Sequence, residues 1–294
     1  MPNIKEIVSR IASVSSTQQI TKAMKMVSAS KLNKTQCQLE NLNPYAKELV
    51  SIAENVILHA GENEVLNHYT MQRPIEKMLL IILGSDKGLC GAFNTNVIKK
   101  AISYLNDSNS PCSDLISDQI DILALGKKIS NFFQKMPYKL LLGYESMINS
   151  LTFQPVGQLA DYLIHSFITL QYDQVVLIYN HFINAANQVV VIEPFLPFLP
   201  KTMQETVCSN YIYEPSTTSL IDTLIPMTLR VQLFKSLLES NVSEHGARVT
   251  TMSKATDNAE ELLKSLRITY NKTRQASITN EILEISAGAE ALAN

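Results

Sequence analysis

The sequence predicts an α/β protein: a long antiparallel two-helix coiled coil formed by the N- and C-terminal helices, plus a small central α/β domain. Three observations predict it. Both ends of the 294-residue chain carry apolar residues at alternating steps of three and four. Glycine is scarce, nine in all, which leaves long stretches free to be helical. The middle follows another pattern, with short apolar runs separated by helical segments. The segments are placed at 1–60, 77–200 and 220–294.

The N-terminal stripe begins at Ile4, Ile7, Ile11 and Val14. After a polar patch from Ser15 to Gln19 it is expected to resume at Ile20, Met24, Val27, Leu32 and Leu39. The stripe is narrow, as in a coiled-coil seam. Pro44 is expected to end or kink this helix, although Tyr45 to Leu58 again has helical character. Up to Asn43 the helix is already ~60 Å long at 1.5 Å per residue, wider than most globular domains.

At the other end, no proline and one glycine, Gly246, lie between Pro226 and Gly288. The stripe there is Val231, Phe234, Leu238, Val242, His245, Val249, Met252, Ala255, Ala259, Leu262, Leu266 and Tyr270. About 60 residues of helix span ~90 Å. A lone helix of that length exposes its stripe to water, so it needs a partner, and the N-terminal helix is the one available in cis. The intervening segment returns the chain to its start, which makes the pair antiparallel.

In the middle, Met78 to Leu83 is a continuous apolar run, read as a buried strand that enters the turn Gly84-Ser-Asp-Lys-Gly88. Phe93 to Tyr104, Lys127 to Phe133 and Leu151 to Leu170 are read as helices. Ile120 to Leu125, Gln174 to Ile183 and Gln188 to Phe195 are read as strands. Strands alternating with helices give a small Rossmann-like α/β domain with a partly parallel sheet.

Composition excludes several classes. Apolar content of 46 % and charged content of 18 % are those of a folded protein rather than a disordered one. Cys37, Cys90, Cys112 and Cys208 lie far apart with no CxxC, against a zinc site or a disulfide framework. No apolar run approaches the ~20 residues of a membrane span, and no presequence pattern precedes Ile4. The net charge of −2 conceals a basic start, where Lys5, Arg10, Lys22, Lys25, Lys31 and Lys34 face one acid, Glu6. Such a helix suits phosphates, an acidic surface or an acidic protein partner. Nucleic acid is disfavoured, because no stacking aromatics interleave the lysines.

Catalytic, cofactor and metal sites are not expected. Gly84-Ser-Asp-Lys-Gly-Leu-Cys-Gly91 stands between a strand and a helix, where phosphate loops sit. It lacks the Lys-Ser/Thr pair after its last glycine, and Asp86 stands where a dinucleotide loop needs glycine. Tight-turn geometry is the better account. Cys90 has no base nearby in sequence, and His59, His68, His165, His181 and His245 show no metal-ligand spacing. The stretch after Arg274 carries Ile278, Ile282, Leu283, Ile285 and Leu292 on more than one face. If the shorter N-terminal helix does not reach this tip, the tip buries itself in another protein.

Ile11-Ala-Ser-Val14 followed by Thr17-Gln-Gln-Ile-Thr-Lys-Ala-Met-Lys-Met-Val27 closely resembles the N-terminal signature of the gamma subunits of F-type ATP synthases. Ser85-Asp-Lys-Gly-Leu-Cys-Gly-Ala-Phe-Asn94 resembles their central motif. Ser243-Glu-His-Gly-Ala-Arg248, Ala255-Thr-Asp-Asn-Ala259 and Tyr270-Asn-Lys-Thr-Arg-Gln-Ala-Ser-Ile-Thr279 resemble their C-terminal motifs.

The resemblance implies a rotor shaft, non-catalytic itself, standing inside a hexamer of alternating alpha and beta subunits. Its foot meets the epsilon subunit and the c-subunit ring, with one copy per complex and membrane association only through the complex. It further implies that Lys22, Met24 and Lys25 face an acidic loop of beta, and that Arg248, Arg274, Gln275 and Thr279 contact a second beta loop. Tyr211 and Glu214 match the contacts to the c ring. The absence of a presequence points to the cytoplasmic face of a bacterial inner membrane. Gly246 stands where the family usually has Ala, and Val249 where it usually has Met. Two rival readings are a nucleotide-binding α/β enzyme with coiled-coil arms and a static coiled-coil scaffold.

Overall fold

The computed structural model describes residues 4–60, 68–107, 111, 115–145, 147–199, 214 and 216–293. Helix α1 (Ile4–Ala60) and helix α5 (Thr217–Ala293) are the long terminal helices. Between them lie β1 (Met78–Leu83), α2 (Phe93–Asn106), β2 (Ile120–Leu125), α3 (Lys127–Phe133), β3 (Lys139–Leu141), α4 (Phe153–Ile168), β4 (Gln174–Phe182) and β5 (Gln188–Leu196). The chain divides into two compact units, Met1–Ala29 with Val249–Asn294, and Ser30–Arg248.

In the first unit α1 and α5 run antiparallel. Thr256 donates to Thr21 across the pair at 2.9 Å, and Lys25 Nζ donates to Ser253 Oγ at 3.0 Å. Along α1 the covered or partly covered positions 4, 7, 11, 14, 18, 21, 25 and 28 run in steps of three and four, with 15, 24 and 29 partly covered beside them. The seam therefore does not break at the polar patch; it continues through Gln18, Thr21, Lys25 and Ser28. The expected apolar continuation is incorrect here: Ile20 is 59 % and Val27 58 % exposed, while Met24 is half-buried. The strict 3.5-residue period inherited from Ile4 to Val14 puts residues 20 and 27 on the outer face. On α5 the seam takes Met252, Thr256, Ala259 and Leu263, so Leu263 rather than Leu262 is buried.

In the second unit the sheet has the order β3-β2-β1-β4-β5. β2 and β4 flank β1 in parallel, β3 is parallel to β2, and β5 alone is antiparallel. The apolar run of β1 serves both faces by alternation. Leu79, Ile81 and Leu83 join the core with α4 and the start of α5, whereas Met78, Leu80 and Ile82 join the core with α2 and α3. The three-residue strand β3 has no sequence expectation, being too short for alternation to register.

The end of α1 and the start of α5 also pack here. Ala46 and Leu49 meet Val231, and Ala53, Val56 and Ile57 share a core with Ile221 and Ile225. Pro44 does not end α1, which remains helical through it. A mid-helix proline costs about 3 kcal/mol, and this tertiary burial on its C-terminal side offsets the loss. Pro226 is likewise inside α5.

Candidate functional site

From Thr228 to Arg248 helix α5 is buried or half-buried at every position, yet it carries Ser236, Glu239, Ser240, Asn241, Ser243, Glu244 and Arg248. A helix buried all round is ordinarily apolar. Much of this polarity is matched locally. Glu239 lies 2.6 Å from His181, Ser243 donates to the Asn180 carbonyl at 3.2 Å, and Asn241 donates to the Ile148 carbonyl at 3.4 Å.

Arg248 is the centre of this group. It is only 7 % exposed. Nη2 lies 2.6 Å from Glu244 Oε1 and donates to the carbonyls of Lys87 at 3.1 Å and Gly88 at 3.3 Å. Nη1 lies 3.4 Å from His245 Nδ1. Burial, with the charges of Arg248 and Lys31, pushes His245 down to about 4, so it is neutral and accepts from the guanidinium. Burial pushes the Glu244 carboxyl up, opposed by Arg248 beside it.

The 84–91 loop has tight-turn geometry. Gly84 has no room for a Cβ, which would fall 2.0 Å from Ile129 Cγ1. Ser85 N donates to Asn94 Oδ1 at 3.0 Å, Asn94 Nδ2 reaches Ser85 Oγ at 2.7 Å and Cys90 Sγ at 3.3 Å, and Asp86 Oδ1 accepts from Lys127 N at 3.0 Å. Cys90 is buried against Phe93 and Ala247, without a histidine or carboxylate among its hydrogen-bond partners. Among the described residues no group of His, Cys, Asp and Glu is arranged to hold a metal ion.

Six of the other sequence-predicted residues, Lys22, Met24, Lys25, Arg274, Gln275 and Thr279, fall in the first unit. Lys22 is exposed, and Met24 and Lys25 are half-buried. Lys22 and Lys25 line one groove of 520 Å³ with Gln18, Met26, Thr256 and Glu260. Arg274, Gln275 and Thr279 are exposed, Thr279 donating to the Gln275 carbonyl at 2.9 Å. They are not brought together with the lysines. The register that sets Thr21 beside Thr256 sets Ile4 beside Thr273, so the two groups stand about 30 Å apart along the pair. Beyond Thr273 the helix α5 extends past the first residue of α1, and Ile278, Ile282, Leu283 and Ile285 are exposed. Glu214 is exposed; Tyr211 lies outside the described residues, as do Cys112 and Cys208. Sequence reasoning did not find Glu244, although its i,i+4 spacing to Arg248 was a readable signal.

Antiparallel terminal helices whose seam turns polar between residues 18 and 28, with exposed apolar residues outside it and at the tip, on a chain whose middle is an α/β sheet domain, fit a stalk subunit of a larger assembly. The comparisons agree. A family model described as ATP synthase matches residues 3–292. The ATP synthase gamma chain of Amoebophilus asiaticus is 58 % identical over 99 % of both chains, and that of Flavobacterium johnsoniae 48 % identical over 99 % of both. A chain in the central stalk and c-ring structure of the Tetrahymena thermophila mitochondrial ATP synthase is similar at 25 % identity and TM-score 0.56. That match covers 80 % of this chain and 99 % of the other. A chain in the Euglena gracilis mitochondrial assembly shares the fold at TM-score 0.65 and 21 % identity, over 98 % and 94 % of the two chains. The chain belongs to the gamma-chain family of ATP synthases, the central-stalk subunits. No helix among its described residues is long and apolar enough to cross a membrane.

Proposed function

We propose that the chain is the rotor shaft of a proton-translocating F-type ATP synthase, turned by the c ring and imposing successive states on the three beta subunits, where ATP is made. Rotation acts by differential contact: each orientation of an asymmetric shaft stabilises a different member of a set of beta conformations. In this reading the chain performs no catalysis of its own. It stands within the alpha–beta hexamer, meets epsilon and the c ring at its foot, and works on the cytoplasmic face of a bacterial inner membrane.

The observation that carries this reading is the apolar surface that the first unit leaves outside its seam. Between residues 18 and 28 the seam takes Gln18, Thr21, Lys25 and Ser28, while Ile20, Met26, Val27, Ile268, Ile278, Ile282 and Leu283 are turned outward. Apolar surface of that extent belongs against protein. Lys22, Met24 and Lys25 are assigned to one beta contact and Arg274, Gln275 and Thr279 to another; Arg248, grouped with the latter by the resemblance, is 7 % exposed and bonded within its own chain. Tyr211 and Glu214 are assigned to the c ring.

Reversible disulfide crosslinking of the shaft to beta through engineered cysteines tests the rotor. Turnover should stop on oxidation and return on reduction; turnover that persists when crosslinked identifies a static scaffold instead. Removing residues 280–294 should weaken assembly with the hexamer, and unchanged assembly counts against insertion of the tip.

A further inference from the structure

The strand order places the topological switch point between β1 and β4, and an open α/β sheet keeps its ligand crevice there, beyond the carboxyl ends of the strands. In this chain the crevice holds helix α5. Ser243 bonds the Asn180 carbonyl near the end of β4, and Gly246 sits against Phe182, its last residue, and Ala185 just past it. Ala247 packs on Cys90 and Phe93 after β1. A Cβ on Gly246 would lie 3.2 Å from the Ala185 Cα.

The 84–91 loop, where a phosphate loop would aim N–H groups at an anion, instead turns two carbonyls toward the helix. Those carbonyls receive a cation from the chain itself, the Arg248 guanidinium. The next residue, Leu89, has φ +64° and a side chain 62 % exposed. A leucine rarely adopts that backbone unless its surroundings fix it, and its own side chain does little fixing. Arg248 holds the loop on one side and the Ser85–Cys90–Asn94 network on the other, while the Lys127 and Lys128 amides anchor its start through Asp86 and Ser85.

We propose that Arg248 is a positioning residue for rotary coupling: backed by Glu244, its guanidinium fastens the 84–91 loop to α5, so that turning force on the helix passes to the α/β domain. This rests on the rotor reading. A buried ion pair contributes little net stability against an apolar replacement, whereas a forked donor fixes direction and register. The small residues around it, Gly246 and Ala247, allow close approach but give no directional grip. Arg248 thus acts through its own chain, unlike the exposed Arg274.

The test uses the assembled, membrane-bound complex carrying Arg248→Ala, Arg248→Lys or, as a control, Arg274→Ala. Cys90 alkylation by N-ethylmaleimide is followed by peptide mass spectrometry, beside protons pumped per ATP hydrolysed. With the clamp gone, Cys90 should be labelled at least about tenfold faster through local opening, and pumping per ATP should fall. Lysine should restore charge but neither readout, because it has no fork. Arg274→Ala should leave Cys90 labelling unchanged. Coupling lost with Cys90 still protected would make Arg248 a direct partner contact. Faster labelling with coupling intact would make the clamp merely structural. If Arg248→Ala does not assemble, Glu244→Gln should give the same two changes at smaller size, and unaltered readouts there overturn the proposal. Failure of the rotor reading is separate: it would appear as wild-type complex whose turnover survives the shaft–beta crosslink.

Discussion

The side-chain oxygens of Thr21 and Thr256 lie 2.9 Å apart across the helix pair, where a coiled coil ordinarily packs leucine. Thr21 also donates to the Gln18 carbonyl and Thr256 contacts the Met252 carbonyl, so neither hydroxyl depends on the other alone. Replacing both by valine should leave the chain as stable or up to about 1 kcal/mol more stable, because two hydroxyls leave a part-buried seam. Register should loosen, since a polar seam pair fixes alignment at some cost in stability. Denaturant unfolding should show an unchanged or higher midpoint, and protons pumped per ATP should fall. A large drop in midpoint would mean the pair serves stability instead.

Gly246 sits in a helix interior, where alanine is ordinarily better by about 1 kcal/mol. The close Ala185 backbone should cancel that gain. Gly246→Ala is expected to change stability by less than about 0.5 kcal/mol, and Gly246→Val to destabilise by about 2 kcal/mol or more through displacement of the 184–187 turn. Equilibrium unfolding of the two variants checks the pair. An alanine variant that realises the whole helical gain would show that the turn yields freely.

His245, held down to about 4 from 6.5, favours its neutral form in the fold. Its contribution is complete above pH 6.5 and is lost as pH falls from there toward 4, because the unfolded chain takes up the proton first. Glu244, pushed up by burial, acts with the opposite sign: stability is lost as pH rises from its ordinary 4.5. Between pH 7 and 5 the histidine should contribute on the order of 1 kcal/mol after discounting for partial exposure. Thermal unfolding across this range should show His245→Gln losing less stability on acidification than the unaltered chain. Parallel curves would assign the acid sensitivity elsewhere.

Asp121 is fully buried in β2, 2.7 Å from the Tyr172 hydroxyl and 3.7 Å from both Lys77 and Lys139. Burial, with this carboxylate next to it, pushes the Tyr172 phenol well up, so the hydroxyl stays a donor. Asp121→Ala should cost about 2–4 kcal/mol by stranding that donor and removing the anion between two lysines, and Tyr172→Phe about 1–2 kcal/mol. Denaturation midpoints measure both. Equal costs would mean that the lysines contribute nothing.

Much of this was readable in one dimension. Ile4 to Val14 and Leu32 to Leu39 carry the 3.5-residue period, and their spacing required a long partner. Met78 to Leu83 and Ile120 to Leu125 could only be strands buried on both faces. Motif spacing alone favoured a tight turn over a phosphate loop at Gly84–Gly91. The reading failed where polar residues occupy covered positions. Gln18, Thr21, Lys25 and Ser28 look like a break in the pattern, and Ile20 and Val27 look like its continuation, because hydrophobicity ordinarily tracks burial. At a surface meant for other chains that relation inverts.

Local pattern therefore determined most element types and the antiparallel sense of the long helices, since both depend on period and order along the chain, and the resemblance of four motif blocks carried the family. Only the tertiary structure decided that α5 fills the switch-point crevice, and that Arg248 is spent on the carbonyls of Lys87 and Gly88. Those partners lie about 160 residues apart. No periodicity joins them; the fold of the sheet does.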